Sequence, residues 1–127
     1  METVSRVRHY QNFLVRPAKA GDVEDFGPYE FSHTFRGMTC EEDGKVIIVA
    51  GVLHSSPLQA VSYLGDDARK SPKTIVKFAK AVTEIFDLYD APIYAIADSD
   101  EKDAPKFLEY LGFEQYQDRV YRYEGGR

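Results

Sequence analysis

The most regular apolar pattern in the chain lies between Ile75 and Tyr89. Ile75, Phe78, Ala79, Val82, Ile85, Phe86 and Tyr89 recur at three- and four-residue steps, which places them on one face of a helix. Lys73, Lys77, Lys80, Glu84 and Asp87 fall mostly on the opposite, solvated face. The start is set by Ser71-Pro72: a serine side chain accepts from an early helical N–H, and proline suits a first position that needs no N–H. Asp90-Ala91-Pro92 is the stop. On either side the period shortens to two. Gln59 to Leu64 reads as a strand closed by Gly65-Asp66-Asp67, and Ile93 to Ala97 as another. Strand, long helix and strand in this order predict a crossover connection and a parallel pair.

The remaining segments are shorter. Asn12 to Arg16 is a first strand, stopped by Pro17, whose missing N–H would break a ladder. Asp22 can cap a short helix through Phe26, which Gly27-Pro28 ends. Tyr29, Phe31 and Phe35 lie with His33 in a turn-rich stretch and either plug the core or line a pocket. Met38–Glu42 and Lys45–His54 form a hairpin turning at Asp43-Gly44, a dipeptide that supplies positive φ. Val46 to Leu53 is almost continuously apolar, which predicts a strand buried on both faces. A loop from Asp98 to Lys102 leads to a second helix, capped by Asp103, with Phe107, Leu108 and Leu111 on its apolar face and Gly112 at its end. Phe113–Tyr116 and Val120–Tyr123 make a closing hairpin around Gln117-Asp118. Met1–Tyr10 and Glu124–Arg127 are polar and expected to be loosely ordered. The sum is a single mixed α/β domain spanning residues 1–127, built on one central sheet of about six or seven strands.

Composition narrows the classes. A chain of 127 residues is one domain, large enough to bury a core without disulfides. Cys40 is the single cysteine, so neither an internal bridge nor a thiolate zinc site is available, which fits a reducing, cytoplasmic setting. A net charge of −5 argues against general nucleic-acid binding. No apolar run approaches the eighteen or so residues of a membrane span, and Met1–His9 carries no apolar segment of a signal peptide.

One cluster changes the picture. Arg69 and Lys70 precede Ser71-Pro72, and Lys73 follows in the first turn. That helix end already carries about half a positive charge, so three cations there are unfavourable unless an anion sits among them. Two readings stand: a solvated turn balanced by Asp66 and Asp67, or a phosphate-binding turn. His54, at the end of its strand, likewise reads as a histidine bonded to a neighbour or as a catalytic base.

From Phe13 to Tyr123 the chain resembles the Gcn5-related N-acetyltransferases. Arg16-Pro17-Ala18 followed by Asp22 is similar to the family's opening strand and helix entry, and Ala104 through Leu111-Gly112-Phe113 to its late helix ending in Gly-Phe. The family's Gln/Arg-x-x-Gly-x-Gly/Ala turn falls in register on Arg69-Lys70-Ser71-Pro72-Lys73-Thr74. The resemblance implies an acyl-CoA N-acyltransferase fold and transfer of an acetyl group from acetyl-CoA to an amine on a small molecule or a protein. It implies that backbone at Tyr63, Leu64 and Gly65 holds the pantetheine, and that Arg69, Lys70, Ser71, Lys73 and Thr74 hold the diphosphate. His54, Asp66 and Glu41 are then the candidate bases. The chain departs from the pattern in ways that matter physically. Pro72 has no N–H to donate and Thr74 is β-branched where close approach is needed. Leu108 stands where the family often has an acid tyrosine, Glu101 where it often has asparagine, and Tyr110 is about 200° around the helix from position 108. These departures resemble short acetyltransferase-like proteins of tailed phages, some of them virion components. They imply an alternative: an inactive binding or structural protein on the same fold, in host cytoplasm or virion, or a sensor binding a CoA ester without turnover.

Overall fold

The computed structural model describes residues 7–19, 21–23, 34–97 and 104–124. Tyr29, Phe31, His33, Glu101 and Asp103 lie outside the described residues. The elements are β1 (Arg8–His9), β2 (Leu14–Pro17), β3 (Phe35–Glu42), β4 (Lys45–Leu53), β5 (Leu58–Leu64), α1 (Asp66–Arg69), α2 (Pro72–Phe86), β6 (Ile93–Ile96), α3 (Ala104–Tyr110), β7 (Glu114–Gln117) and β8 (Val120–Tyr123). They build one eight-stranded mixed sheet in the order β1-β2-β3-β4-β5-β6-β8-β7. Every neighbouring pair is antiparallel except β5 and β6, the pair bridged by α2.

The hairpin forms where its turn chemistry predicts, with Asp43 at φ 54° and Gly44 at φ 79°. Ile47 to Val52 are buried, as the continuous apolar run requires. The sheet has more strands than the periodicity predicts. β1 is two residues long and owes its strand conformation to pairing with Leu14 and Val15, a partnership that no local pattern announces. β2 runs on through Pro17, which pairs with Met38 as its last residue.

The alternation along the strands divides the sheet into two faces. Val15, Cys40, Ile48 and Leu64 form one cross-strand row, and α2 packs over that face. Arg16, Thr39, Val49 and Tyr63 form a row on the face away from α2. From α2, Phe78, Ala79, Ala81, Val82, Ile85 and Phe86 join Val15, Met38, Ile48, Val52, Ile93 and Tyr121 in one core cluster. Burying a side chain of Val, Ile or Phe size contributes about 1.5–3 kcal/mol, whereas an N-cap contributes about 1. Packing therefore sets the position of α2. Consistent with this, Ser71 occupies the N-cap position but its side chain makes no capping bond. The helix ends at Phe86, three residues before the predicted Tyr89, because the Leu88 and Tyr89 amides turn back to Ile85 O and Phe86 O at 3.0 and 3.3 Å.

At the lower end of α2, taken as the end carrying Phe86, aromatic side chains lock the elements together. Phe86 lies 5.4 Å from the rings of both Phe113 and Tyr123, and the Tyr123 hydroxyl donates to Asp87. Gly112 closes α3, its N–H reaching Glu109 O and that of Phe113 reaching Leu108 O, both at 3.0 Å. At the rim, β7 is exposed throughout and its pairing with β8 slips at Gln115/Gln117.

Strands β3 and β4 meet at Gly37 opposite Gly51. A Cβ on Gly51 would lie 2.3 Å from Arg36 O and 2.4 Å from Gly37 Cα, both backbone atoms that move only with their strand. Gly51→Ala is expected to destabilise the fold by about 2 kcal/mol, or roughly 8 °C in Tm, which thermal unfolding would read directly. An unchanged Tm would show that the two strands do not need this close approach.

Candidate functional site

β5 and β6 pair only at Leu58↔Ile93 and Gln59↔Tyr94. Beyond that point β5 stays with β4 as far as Ile48↔Leu64, and β6 stays with β8 as far as Ile96↔Val120. Each strand thus keeps its outer neighbour and leaves the inner one, and the sheet opens between Ala60–Leu64 and Ala95–Ile96. The Ala97 N–H, held by Arg119 O at 2.8 Å, continues the bias of β6 toward β8. The opening faces the carboxyl ends of two parallel strands, where ligands of open α/β sheets bind. Its inner edges carry backbone donors and acceptors that no β5–β6 ladder uses.

Gly65 leaves β5 with its N–H on Ile47 O at 2.8 Å. The residues after it form the helical turn α1 rather than a loop. Ala68 is fully buried and anchors this turn, with its N–H on Gly65 O at 3.1 Å, and Ser71 N–H returns to Ala68 O at 3.0 Å. Arg69 is the last residue of α1, so the basic stretch spans the junction between two helices. Ile75 N–H bonds Ser71 O at 3.1 Å, which leaves the Lys73 and Thr74 amides ahead of it at the start of α2, where helical N–H groups lack intrahelical partners. The first turn of α2 contains no acidic residue, while Lys70 and Lys73 are exposed. Thr74 is 6 % exposed, so its side chain packs inward. The turn therefore offers two amides and two exposed ammonium groups, with no glycine cradle.

The structure brings Tyr63, Leu64, Gly65, Asp66, Lys70, Ser71 and Lys73 to the open end of the sheet. His54 and Tyr110 lie at the other end. His54 follows β4, whose Leu53 pairs with Gln59 at the start of β5, so roughly 20 Å of strand separates it from Gly65. Its Nε2 lies 2.7 Å from the Tyr89 hydroxyl, with the rings edge to face at 5.5 Å, and its N–H bonds Thr34 O. Burial pushes the Tyr89 phenol above its ordinary range, opposed by the positive field of Arg36. Tyr110 is 57 % exposed and precedes Leu111, a member of the core cluster, and Phe113, which meets Phe86. Leu108 packs against the core.

A second constellation occupies the face away from α2. Arg16 grips Asp22 with both terminal nitrogens, Nη1 to Oδ2 at 3.0 Å and Nη2 to Oδ1 at 2.9 Å. Its Nε donates to Glu41 at 2.5 Å. Asp22 also accepts from Lys19 N–H at 2.8 Å and Thr39 Oγ1 at 2.7 Å. Burial works to raise the Asp22 pKa, but the bonds from Arg16, Lys19 N–H and Thr39 outweigh it and hold the carboxyl below its usual value. The bond to Asp22 raises the Arg16 pKa against the effect of burial, and Glu41 adds to it. Glu41 is thus the second partner of a guanidinium, not an isolated base. The sequence names every member of this network but gives no signal that joins them, because the contacts link β2, the Asp22 turn and β3 across space. Next to it on the covered face, burial and then Glu42 and Glu41 push the Cys40 thiol up to about 12.

Among the described residues no group of His, Cys, Asp or Glu is placed to hold a metal ion. No described helix is long and apolar enough to cross a membrane. No family model matches the chain, and no curated protein matches it.

Asp22 links stability to pH in a defined direction. Its folded pKa is depressed, so its contribution is fully present above the unfolded value of about 3.9 and is lost as pH falls through the lower folded value. Asp22→Asn leaves Arg16 with Glu41 alone and is expected to cost about 3 kcal/mol at neutral pH, or roughly 12 °C in Tm. The acid limb of the stability curve below about pH 4 should flatten in the same variant. Chemical denaturation from pH 2 to pH 7 tests both; parallel wild-type and variant curves would remove Asp22 from the acid transition.

Proposed function

We propose that the protein has an acyl-CoA N-acyltransferase-like fold and transfers an acetyl group from acetyl-CoA to an amine. The carrying observation is the parting of β5 and β6 beyond Gln59 and Tyr94, with the start of α2 at the same end. An extended chain with amide groups, such as pantetheine, suits the edge of β5 beyond Gln59, where the ladder to β6 has ended. The Lys73 and Thr74 amides, the positive end of α2 and the Lys70 and Lys73 side chains suit a diphosphate, with Arg69 at the junction. Pro72 and Thr74 shift that recognition from backbone toward side-chain charge. In the transfer, the amine nitrogen attacks the thioester carbonyl, a C–N bond forms and the C–S bond breaks. CoA leaves as its thiolate, and the proton shed by the amine passes to a base or to water. Of the catalytic candidates His54, Asp66 and Tyr110, Asp66 is the one at this end.

A second reading, binding of a CoA ester without turnover, is favoured by one observation. Leu108 packs into the core, while His54 and Tyr110 sit at the far end of the sheet, so among the described residues neither of these two side chains faces the opening as an acid for the leaving thiolate.

Calorimetric titration with acetyl-CoA tests the shared premise, and an absence of saturable binding refutes both readings. Arg69→Ala combined with Lys73→Ala is expected to weaken that binding tenfold or more, since charge-assisted contacts contribute about 1.5–3 kcal/mol each and tenfold needs only about 1.4. The Tm should hold or rise slightly, because two cations leave the positive end of a helix. Thiol release with a panel of amines then separates transfer from binding alone.

A further inference from the structure

The face away from α2 carries an apolar surface beside the opening. Along β6, Ile93 and Ala95 are buried toward α2, which turns Tyr94 and Ile96 to the other face. Tyr94 is the last β6 residue that pairs with β5, and Ile96, two residues further on, stands at the lip of the opening. Ile96 is 61 % exposed and Tyr116, from β7, is 52 % exposed. Tyr116 meets the Tyr94 ring edge to face at 5.6 Å, and Arg122 lies over Tyr116 at 4.9 Å from its centroid. Glu124 pairs with Arg122 at 3.0 Å, so its positive charge is matched locally and the surface presents rings and a methyl-bearing chain.

From this geometry we infer that Tyr94, Ile96 and Tyr116 form the shelf for the acceptor's body, and that the acceptor is an amine carried on an aromatic or aliphatic frame. The inference rests on the acetyltransferase reading. α2 covers one face of the sheet, so an acceptor reaching a thioester held along β5 passes the lip on the other face, where Ile96 stands. A net charge of −5 draws a cationic amine toward the molecule, while the shelf adds contacts that a small polar amine lacks. Fixed rings beside an exposed aliphatic residue suit a flat or branched apolar group, and Tyr116 is held in place by its contacts with Tyr94 and Arg122. A free arylalkylamine and a lysine flanked by apolar residues in a peptide share this chemistry.

The test is acetyl transfer under saturating acetyl-CoA, with 2-phenylethylamine and tryptamine set against ethanolamine and putrescine, and a Phe-Lys-Leu tripeptide with a blocked N-terminus as the peptide arm. One or two methylene-sized contacts change discrimination by about 10- to 200-fold. The apolar amines, free or in the peptide, are therefore expected to show at least about tenfold higher kcat/KM than ethanolamine. Ile96→Ser and, separately, Tyr116→Ser should reduce the phenylethylamine-to-ethanolamine ratio by about tenfold, with Tm and acetyl-CoA affinity measured alongside. Should the protein bind without turnover, calorimetry of the same amines on the CoA-loaded protein reads the same preference. Equal or better use of ethanolamine or putrescine, or an unchanged ratio in both variants, overturns the shelf. Failure of the wild type to bind acetyl-CoA is a separate result that overturns the acetyltransferase reading together with it.

Discussion

Contact between the apolar side of α2 and one face of the sheet governs the rest of the molecule. The helix links two neighbouring strands, so its burial fixes them as a parallel pair and brings its own N-terminus back to their carboxyl ends. The energetic weight lies toward Phe78, Val82, Ile85 and Phe86, not at the serine before the helix, whose side chain makes no cap. Phe86, Phe113 and Tyr123 then tie α2, the end of α3 and β8 at the lower end. At the upper end the two strands are held apart by loyalty to β4 and β8. Rigidity and openness are thus assigned to opposite ends of one helix.

The two faces solve different problems. Under α2 the core is apolar, and Cys40 within it is a packing group whose thiol stays protonated across the physiological range. On the other face a buried charge, Asp22, is tolerated because one guanidinium, one backbone amide and one hydroxyl all point at it. An arrangement of that kind pins the turn after β2 to β3 and makes the position of that turn depend on a few directional bonds.

What the sequence reveals follows the range of the interactions that decide each element. The Asp43-Gly44 turn is local, and it is where the dipeptide places it. The α2 stripe is repeated often enough to be read, although Thr74 and Ala81 are buried as well and the helix stops at Phe86, where backbone bonds to preceding carbonyls take over. α1 has four residues and no period to read, and β1 has two residues whose conformation comes from β2. For the candidate site, the strand ends and the basic junction were legible because a crossover forces them together. The partner of His54 was not, since Tyr89 is brought to it only by the turn after α2.

The rims of the sheet give the opening a further meaning. One outer strand is two residues long, and the other is interrupted by a slipped register at Gln115/Gln117, so neither offers a long flat row of backbone groups to a stray chain. Inside the sheet, the ladder between β5 and β6 stops after Gln59 and Tyr94, with the start of α2 at the same end. By this division the described borders of the sheet are short or interrupted, and the break in its ladder lies inside it, between β5 and β6.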